Sequence, residues 1–343
     1  MSEKHYTIKD LAREAGVSPA LVSFALNNAS AEGKRRYKVS EETARRIVEI
    51  AAAHNYKPNN AARSLRSRKS RTIGVILSDI SNSFFSEIAR RIENEAFKVN
   101  YSVLFGSTDE SAEKLESIVN TFIDKGVDGL IIVPCENSAG IIKGLVERNI
   151  PLVLLDRDIE GLDVNRVLLD NEKAAELAVG ALFENGCRSV EMISYEMTLQ
   201  NIASREEGYR KSVEALGMVP VVHRVDYTEL EKSMERLVGG LDFERIDALF
   251  FATNSLAIAG IKALGRRGVE IPRQMAVVVF DGSEAFDLYP ISVAYIRQPI
   301  CDFAQQSLRM VVEQIDSGEE CDYKKQCVTL APEYVAGDSA RRE

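Results

Sequence analysis

The sequence contains few of the residues from which metal sites and disulfide frameworks are built. Its 343 residues include five cysteines and three histidines. The cysteines are odd in number and form no CxxC pair, and the histidines are scattered without an HExxH-like neighbour. Neither a disulfide framework nor a zinc or histidine-based metal site is therefore indicated. We predict reduced thiols and no bound metal.

Long apolar runs are lacking too. No stretch approaches the roughly 18 residues that span a bilayer, and the first ten residues, MSEKHYTIKD, contain no apolar signal-peptide region. A chain of 343 residues is long enough for two or three domains that each bury a core. The sequence predicts a soluble, cytoplasmic protein without a membrane partner.

Three motifs of common enzyme classes are also missing. The chain has no GxxxxGK[ST] for phosphate binding, no GxSxG around an acyl nucleophile and no GxGxxG for a dinucleotide. We therefore expect neither catalytic residues nor a cofactor.

Charge is distributed unevenly along the chain, which has a net charge of -9. Residues 1–71 contain 15 Lys and Arg against 7 Asp and Glu, a net charge of +8, so the remaining residues contain 28 against 45, a net charge of -17. A small nucleic-acid-binding domain followed by an acidic body shows this asymmetry. A basic tail on an unrelated enzyme would show it as well.

The amino-terminal segment has the pattern of three short helices. Apolar residues recur at spacings of three and four from Ile8 to Ala15, and Gly16 follows as a C-cap. Ser18 is the predicted cap of a second helix with Pro19 at its first position, and Ser40 is the predicted cap of a third.

Two helices joined by a glycine-containing turn and backed by a third helix form the helix-turn-helix arrangement. Its second helix enters the major groove of DNA. A helical hairpin without a DNA role is the alternative, which the basic charge disfavours. The candidate DNA contacts in this segment are Thr7, Ser18, Pro19, Ala20, Ser23, Phe24 and Asn27.

A basic segment, NNAARSLRSRKSR, follows from Asn59 to Arg71 and contains a single large apolar residue, Leu65. Apolar side chains that wedge between base steps kink a duplex, and surrounding Arg and Lys neutralise the phosphates that the bend brings together. We therefore predict DNA contacts from Leu65 and its neighbours. A flexible basic linker with an incidental leucine is the alternative. The candidate residues are Arg63, Ser64, Leu65 and Arg66.

Three segments together carry a family resemblance that extends over nearly the whole chain. They are TIKDLAREAGVSPALVSFALN, KPNNAARSLRSRKSRTIGVILSDISNSFF and VVVFDGSEAFDLYPISVAYIRQP. The chain resembles the bacterial transcription regulators that include the lac and galactose repressors. The resemblance implies that the segment around Leu65 is a hinge helix that inserts this leucine into the minor groove at the operator centre.

Two features depart from that family pattern. The segment from residue 29 to residue 39 is longer than the usual loop and offers Lys34, Arg35, Arg36 and Lys38 to phosphates, unless it is simply a solvated loop. Phe24 stands where many relatives have a polar residue that reads bases, and it cannot make bidentate hydrogen bonds.

From Thr72 onward, short apolar strands alternate with amphipathic helices. The strand-like segments are TIGVIL, YSVLFG, GLIIV, PLVLLD, SVEMIS, ALFFAT and AVVVFD. Apolar strands separated by helices indicate parallel sheets covered on both faces. We predict an α/β core of two doubly wound lobes with a cleft between them, and the resemblance implies the fold of periplasmic sugar-binding proteins.

Polar residues follow several of these strands. Ligands of open parallel sheets bind beyond the carboxyl ends of the strands, and sugars are bound by charged hydrogen-bonding groups and aromatic faces. For any one residue, a helix cap or a surface charge is the alternative, and at Asn254 the family match is weaker. Arg205 is expected where SREEGYR opens a helix. The candidate effector-binding residues are Asn82, Phe84, Phe85, Asp156, Arg157, Arg205, Asn254 and Asp281.

Together, these patterns predict a helix-turn-helix head at residues 1–58, a hinge at 59–71 and a two-lobed core at 72–343. The expected partners are double-stranded operator DNA, a small sugar-like effector and a second copy of the chain. A repressor controlled by that effector is the favoured interpretation. A sugar receptor or a sugar-modifying enzyme with an incidental basic head remains the alternative.

Overall fold

The computed structural model describes residues 6–28, 40–56, 69–318 and 323–342. The chain divides into two units, Met1–Ser70 and Arg71–Glu343. The first includes the predicted head and all but the last residue of the predicted hinge; the two units are called head and core below. Most of the predicted hinge and the basic loop at 29–39 lie outside the described residues, so the interpretations of both stay predictions. No helix in the described residues is long and apolar enough to cross a membrane.

The described part of the head contains three helices, α1 (Ile8–Ala15), α2 (Pro19–Asn28) and α3 (Glu41–Ala53). The predicted stop signal is confirmed, because Gly16 ends α1 with a φ of 68°, which a glycine adopts without strain. The Ser40 side chain accepts a hydrogen bond from the Thr43 amide at 3.2 Å and so caps α3, as predicted. Leu11, Val22 and Ile47 are fully buried at the centre of this small core.

Two six-stranded sheets form the centre of the core. The first lobe has the strand order β11-β5-β4-β3-β1-β2, and the second has the order β12-β10-β9-β8-β6-β7. The strands are β1 (Thr72–Leu77), β2 (Ser102–Ser107), β3 (Gly129–Ile132), β4 (Leu152–Leu155), β5 (Asn165–Leu169), β6 (Val190–Tyr195), β7 (Val222–Val225), β8 (Ala248–Phe251), β9 (Ala276–Phe280), β10 (Ala294–Arg297), β11 (Cys327–Leu330) and β12 (Glu333–Val335).

Helices cover the two sheets. In the first lobe, α11 packs on α4 and on the central strands, and in the second lobe the closest helix pair is α7 with α8. The core helices are α4 (Ser83–Lys98), α5 (Ala112–Asp124), α6 (Ala139–Glu147), α7 (Asn171–Glu184), α8 (Gln200–Ala215), α9 (Leu230–Gly240), α10 (Asn254–Arg266) and α11 (Ile300–Ser317). The predicted two-lobed, doubly wound α/β core is confirmed.

The sheets differ from the sequence prediction in two respects. The prediction of parallel sheets is wrong for one edge strand, because β12 pairs antiparallel with β10. Five strands were also not predicted, namely β5, β7, β10, β11 and β12. In β5 and β10 buried residues alternate with partly or fully exposed ones, and β7, β11 and β12 consist mainly of partly or fully exposed residues. All five therefore lack the continuous apolar run that marks a strand buried on both faces.

The chain passes between the lobes three times. The crossings follow β5, β10 and β11, after which the chain enters α7, α11 and β12 respectively. Two of the crossings touch, because the Asp170 amide donates to the Leu330 carbonyl oxygen at 2.9 Å. Gln298, which follows β10, lies on the remaining crossing, between β10 and α11.

Candidate functional site

The head presents several of the predicted DNA contacts on its surface. Ser18, Pro19 and Ala20, at the start of α2, are exposed, whereas Ser23 and Phe24 are half-buried. The Ser18 hydroxyl also accepts from the Leu21 amide at 3.3 Å and so contributes to capping α2. These positions agree with a recognition helix whose amino-terminal end is accessible.

The remaining predicted DNA contacts have other positions. Thr7 is exposed and forms a capping box with Asp10, in which each side chain accepts from the other residue's amide. The side chain of Asn27 lies outside the described structure, and so do Arg63, Ser64, Leu65 and Arg66. Their predicted roles stay predictions.

The core contains a cleft between its two lobes, with a cavity volume of about 380 Å³. Its described lining includes all eight candidate effector-binding residues, which come from segments as far apart in sequence as Asn82 and Asp281. The list of candidate effector-binding residues did not include further polar and aromatic residues of the lining. These are Ser78, Asp79, Glu110, Tyr195, Asn201, Tyr227, Thr228, Thr253, Ser255 and Gln298.

Asp156 and Asp281 enter the cleft from equivalent places in the two lobes. Asp156 directly follows β4 and Asp281 directly follows β9, and both have left-handed backbones with φ of 66° and 67°. Aspartate tolerates this conformation better than most side chains, although it costs free energy. Only 2% of Asp156 and 9% of Asp281 are exposed, so both carboxyl groups are withdrawn from bulk water.

Burial controls the ionisation of Asp281. It raises the pKa of this carboxyl group to about 7, although the positive charge of Arg205 and a hydrogen bond from Gln298 act in the opposite direction. The Gln298 amide donates to Asp281 Oδ1 at 2.9 Å. Burial likewise raises the pKa of Asp156, against the positive charges of Arg157 and Arg205. Ionised carboxylates are therefore costly here until a ligand donates hydrogen bonds to them.

Arg205 lies in the second turn of α8, which begins at Gln200, so the prediction that SREEGYR opens a helix is wrong. The earlier start could not be recognised in the sequence because the cap residue, Leu199, has no side chain that could accept a hydrogen bond from the first turn. Arg205 is 3% exposed and donates to the Asn171 side chain and the Ala252 carbonyl oxygen, each at 2.8 Å.

The guanidinium of Arg205 is held against an aromatic ring as well. Its central carbon lies 3.4 Å from the ring centroid of Phe280, in a cation–π contact. Burial lowers the pKa of Arg205 to about 10, against the raising effect of Asp156 and Asp281. Arg205 therefore remains charged at neutral pH and compensates for part of the negative charge of the two aspartates.

Arg157 is bound by a residue that the sequence interpretation missed. Its two terminal nitrogens donate to the two Glu110 carboxylate oxygens at 2.8 and 2.7 Å, and one of them also donates to the Pro134 carbonyl oxygen. Burial lowers the pKa of Arg157, but the hydrogen bonds and charge of Glu110 offset this, and the pKa is raised overall. Glu110 comes shortly after β2, so the segment after that predicted strand contained the signal.

Hydrogen bonds join the lobes across the cleft. The Asn254 side chain donates to the Ser83 hydroxyl at 3.0 Å and accepts from Asn82 at 3.3 Å. Asn201 donates to Asp156 Oδ2 at 3.0 Å. At another point, the Thr198 hydroxyl donates to Glu136 at 2.7 Å. The side chains that face the cavity therefore also hold the lobes together.

Aromatic residues line the cleft on both sides. Phe84 and Phe85 are in edge contact, with ring centroids 5.0 Å apart, and Tyr195 and Tyr227 form a second edge pair at 5.4 Å. Tyr195 ends β6, and Tyr227 follows β7, a strand that was not predicted. The combination of buried carboxylates, arginines and aromatic rings can hold a small polyhydroxylated molecule.

Both units of the chain match known family models. Residues 7–59 match bacterial regulatory proteins of the lacI family, and residues 73–304 match the periplasmic binding protein domain. The division between head and core falls in the interval between the two matches, residues 60–72.

Several bacterial regulators are similar to this chain over most of its length. A probable HTH-type transcriptional regulator, EndR of Paenibacillus polymyxa, is 32% identical over 321 residues, which are 92% of each chain. The ribose operon repressor of Halalkalibacterium halodurans is 32% identical over 312 residues, 90% of each chain. The crystal structure of the lac repressor dimer bound to operator and the anti-inducer ONPF has a TM-score of 0.83 at 22% identity and covers 98% of this chain and 100% of its own.

Proposed function

The chain belongs to the lacI family of bacterial regulatory proteins and is a DNA-binding transcription regulator, and we propose that it is a repressor controlled by a small sugar bound in the cleft. In this proposal, a homodimer binds a palindromic operator, with one head on each half-site. Binding of the sugar between the lobes changes the affinity of the dimer for the operator.

The observation that carries the proposal is the pairing of Arg205 with two buried carboxyl groups in one cavity. Asp156 and Asp281 can each accept hydrogen bonds from neighbouring hydroxyls of a ligand, and Arg205 can donate to a ring or hydroxyl oxygen. Phe84 and Phe85 offer apolar surface to the C–H groups of a sugar ring. A relative that is named as the repressor of a ribose operon supports sugars as the class to test first.

Exposed apolar residues support the proposal of a dimer. Phe97 and Val99 lie at the end of α4, and Phe105 lies on the edge strand β2; the three side chains are 81%, 43% and 36% exposed. Leu288 of the second lobe is 88% exposed. Large exposed apolar groups are typical of surfaces that a partner covers, and a dimer with twofold symmetry would match a palindromic operator.

Coupling between the two ligands follows from the way the lobes are joined. A sugar that bridges the cleft would compete with the hydrogen bonds from Asn254 and Asn201 that join the lobes, and so shift the lobes relative to each other. In the proposal, the hinge around Leu65 forms its helix only in one lobe arrangement. The sugar and the operator must then change each other's affinity by the same factor.

The test measures operator affinity by fluorescence anisotropy, with and without free monosaccharides, in a panel that begins with D-ribose. Wild type should show a sugar-dependent change in affinity. Arg205→Gln should lose a charge-assisted contact of about 2–5 kcal/mol and so weaken sugar binding about 30- to 4000-fold, while sugar-free operator binding survives. Arg210→Gln is the matched control, because Arg210 lies on the same helix with a partly exposed side chain that pairs with Glu206.

Two results would contradict the proposal. One is an operator affinity that no free sugar alters in wild type. The other is consumption of a sugar by the protein, which would favour the enzyme alternative. Equal sugar responses in the Arg205 and Arg210 variants would instead move the binding site away from Arg205.

A further inference from the structure

The cationic groups of the cleft are already paired within the protein. Among the described residues of the lining, the cationic side chains are Arg157 and Arg205. Arg157 is bound on both terminal nitrogens by Glu110, with exposed side-chain fractions of 8% and 9%. Arg205 donates to Asn171 and to a carbonyl oxygen, and its charge is balanced by nearby carboxyl groups.

Acidic groups outnumber these cations in the lining. It contains Asp79, Glu110, Asp156 and Asp281 against the two arginines. A ligand with a phosphate or carboxylate group would meet carboxylates at short range in a site where water screens charge poorly. Such a ligand could bind the two terminal nitrogens of Arg157 only by displacing Glu110. The buried Glu110 carboxylate would then be left without its partner.

The buried polar atoms that lack a hydrogen-bond partner point to the same kind of ligand. Among the described residues of the lining they are two acceptors, Asp156 Oδ1 and Gln298 Oε1, one donor, Arg157 Nε, and the Ser78 hydroxyl. The orientation of the Gln298 amide is fixed, because its nitrogen donates to Asp281. A buried polar atom without a partner is costly, so the two acceptor oxygens require a donor from the ligand and Arg157 Nε requires an acceptor. A sugar hydroxyl can donate and accept and so can satisfy both kinds of atom, whereas a phosphate dianion and a carboxylate only accept and leave the two oxygens without a partner.

From these observations we propose that the effector is an uncharged polyol and that Glu110 is the residue that excludes phosphorylated and acidic sugars. This inference rests on the proposed sugar-binding function of the cleft and adds the charge class of the ligand. The Glu110 carboxylate occupies the two terminal nitrogens of Arg157 that a phosphate would otherwise bind. Removing its charge should turn Arg157 into an anion site.

The first experiment uses inorganic phosphate as the probe and the full chain as the protein. Thermal unfolding of the core is followed while phosphate replaces chloride at constant ionic strength, in wild type, Glu110→Gln and Glu116→Gln. Glu116 is an exposed glutamate on α5 and serves as the control for loss of one charge. Since the head and the general effect of phosphate on stability are common to all three proteins, the differences between them report on the cleft.

Wild type and Glu116→Gln should respond alike and bind phosphate so weakly that the effect does not reach saturation in the concentration range used. Glu110→Gln should gain saturable stabilisation, with an apparent Kd for phosphate about 10- to 100-fold lower than that of wild type, the range expected for one charge-assisted contact. A saturable phosphate response in wild type that Arg157→Gln abolishes would overturn the inference. So would a Glu110→Gln variant that folds and responds like the control.

A second measurement on wild type decides the question even if Glu110→Gln does not fold. Calorimetric titrations compare D-ribose with D-ribose 5-phosphate and D-glucose with D-glucose 6-phosphate. In each pair the free sugar should bind more tightly, and a preference for a phosphate ester would overturn the inference. If no free sugar binds and phosphate is also without effect, the sugar effector of the proposed function is contradicted while the exclusion of anions is upheld.

Discussion

Two buried aspartates make the cleft sensitive to protons. Asp281 has a pKa raised to about 7, and the pKa of Asp156 is also raised, in both cases mainly by burial. Arg205 favours the charged form of both groups, but it does not fully replace the water that burial removes. A site of this kind gains most from a ligand whose hydroxyls donate hydrogen bonds to the carboxylates.

The stability of the core should depend on pH through Asp281. Between an ordinary pKa of 3.8 and the folded-state pKa of about 7, the folded core binds a proton that the unfolded chain does not, so this residue's contribution to stability falls as pH rises through that window. Asp281→Asn removes the effect. The variant should therefore gain stability relative to wild type with rising pH, at up to about 1.4 kcal/mol per pH unit, and level off above pH ~7.

Urea unfolding without sugar at pH values from about 5 to 8 gives the free energy of unfolding of both proteins. Other titrating groups, including Asp156, are present in both and largely cancel in the difference. Parallel pH profiles would show that Asp281 is not the residue that titrates near neutrality.

Among the helices, the contact between α7 and α8 positions Arg205. A β-carbon at Gly208 of α8 would lie 2.5–2.9 Å from backbone atoms of Glu172 at the start of α7, closer than atoms can approach. The absence of a side chain at Gly208 therefore lets the two helices meet backbone to backbone. This close approach also brings Arg205 within 2.8 Å of Asn171, the first residue of α7.

Gly208→Ala should therefore destabilise the core by about 1–3 kcal/mol, the usual cost of overpacking, and weaken sugar binding because Arg205 moves with α8. Gly180→Ala in α7 is the matched control. A β-carbon there meets no atom within 4 Å, so the substitution should stabilise the core by about 0.5–1 kcal/mol through the helix preference of alanine. Chemical denaturation of both variants checks the signs, and an equal effect of both would rule out the close contact.

At the scale of the whole molecule, head and core each have a buried centre of their own. The head packs around Leu11, Val22 and Ile47, whereas the core is built on two sheets joined by three crossings. The start of the core is anchored locally, because the Arg71 amide donates to Asp128 at 2.8 Å. Each unit can therefore be expected to retain its fold when the other is removed.

A fragment of residues 69–343, which keeps the Arg71 contact, should fold and bind the same sugars as the full chain. It should lose specific operator binding by about 10³-fold or more, since the head supplies the DNA contacts. In the full chain, operator affinity should fall steeply with salt concentration because phosphate contacts release counterions. Titrations with sugar and with operator DNA test both statements, and a fragment that still binds operator with salt dependence would place DNA contacts in the core.

Local features of the chain could be predicted from the sequence by itself. Gly16 and Ser40 mark helix ends through their own backbone and side-chain chemistry, and the continuous apolar runs of β1 and β9 predict strands buried on both faces. The residues that follow such strands, including Asp156 and Asp281, were recognised as candidates because parallel strands end at one edge of a sheet. These inferences depend on neighbours within a few positions, which the sequence contains.

Pairing between distant segments was decided only by the tertiary structure. Glu110 and Arg157 are 47 positions apart, and no periodicity links them. The position of Glu110 after β2 could make it a candidate for the cleft, but the sequence could not show that its carboxylate binds Arg157. The strands β7 and β10 have no continuous apolar run, so their place, and with it the positions of Tyr227 and Gln298, depends on the strands they pair with. Local patterns determine where an element forms, but which charge lies against which depends on how the whole chain packs.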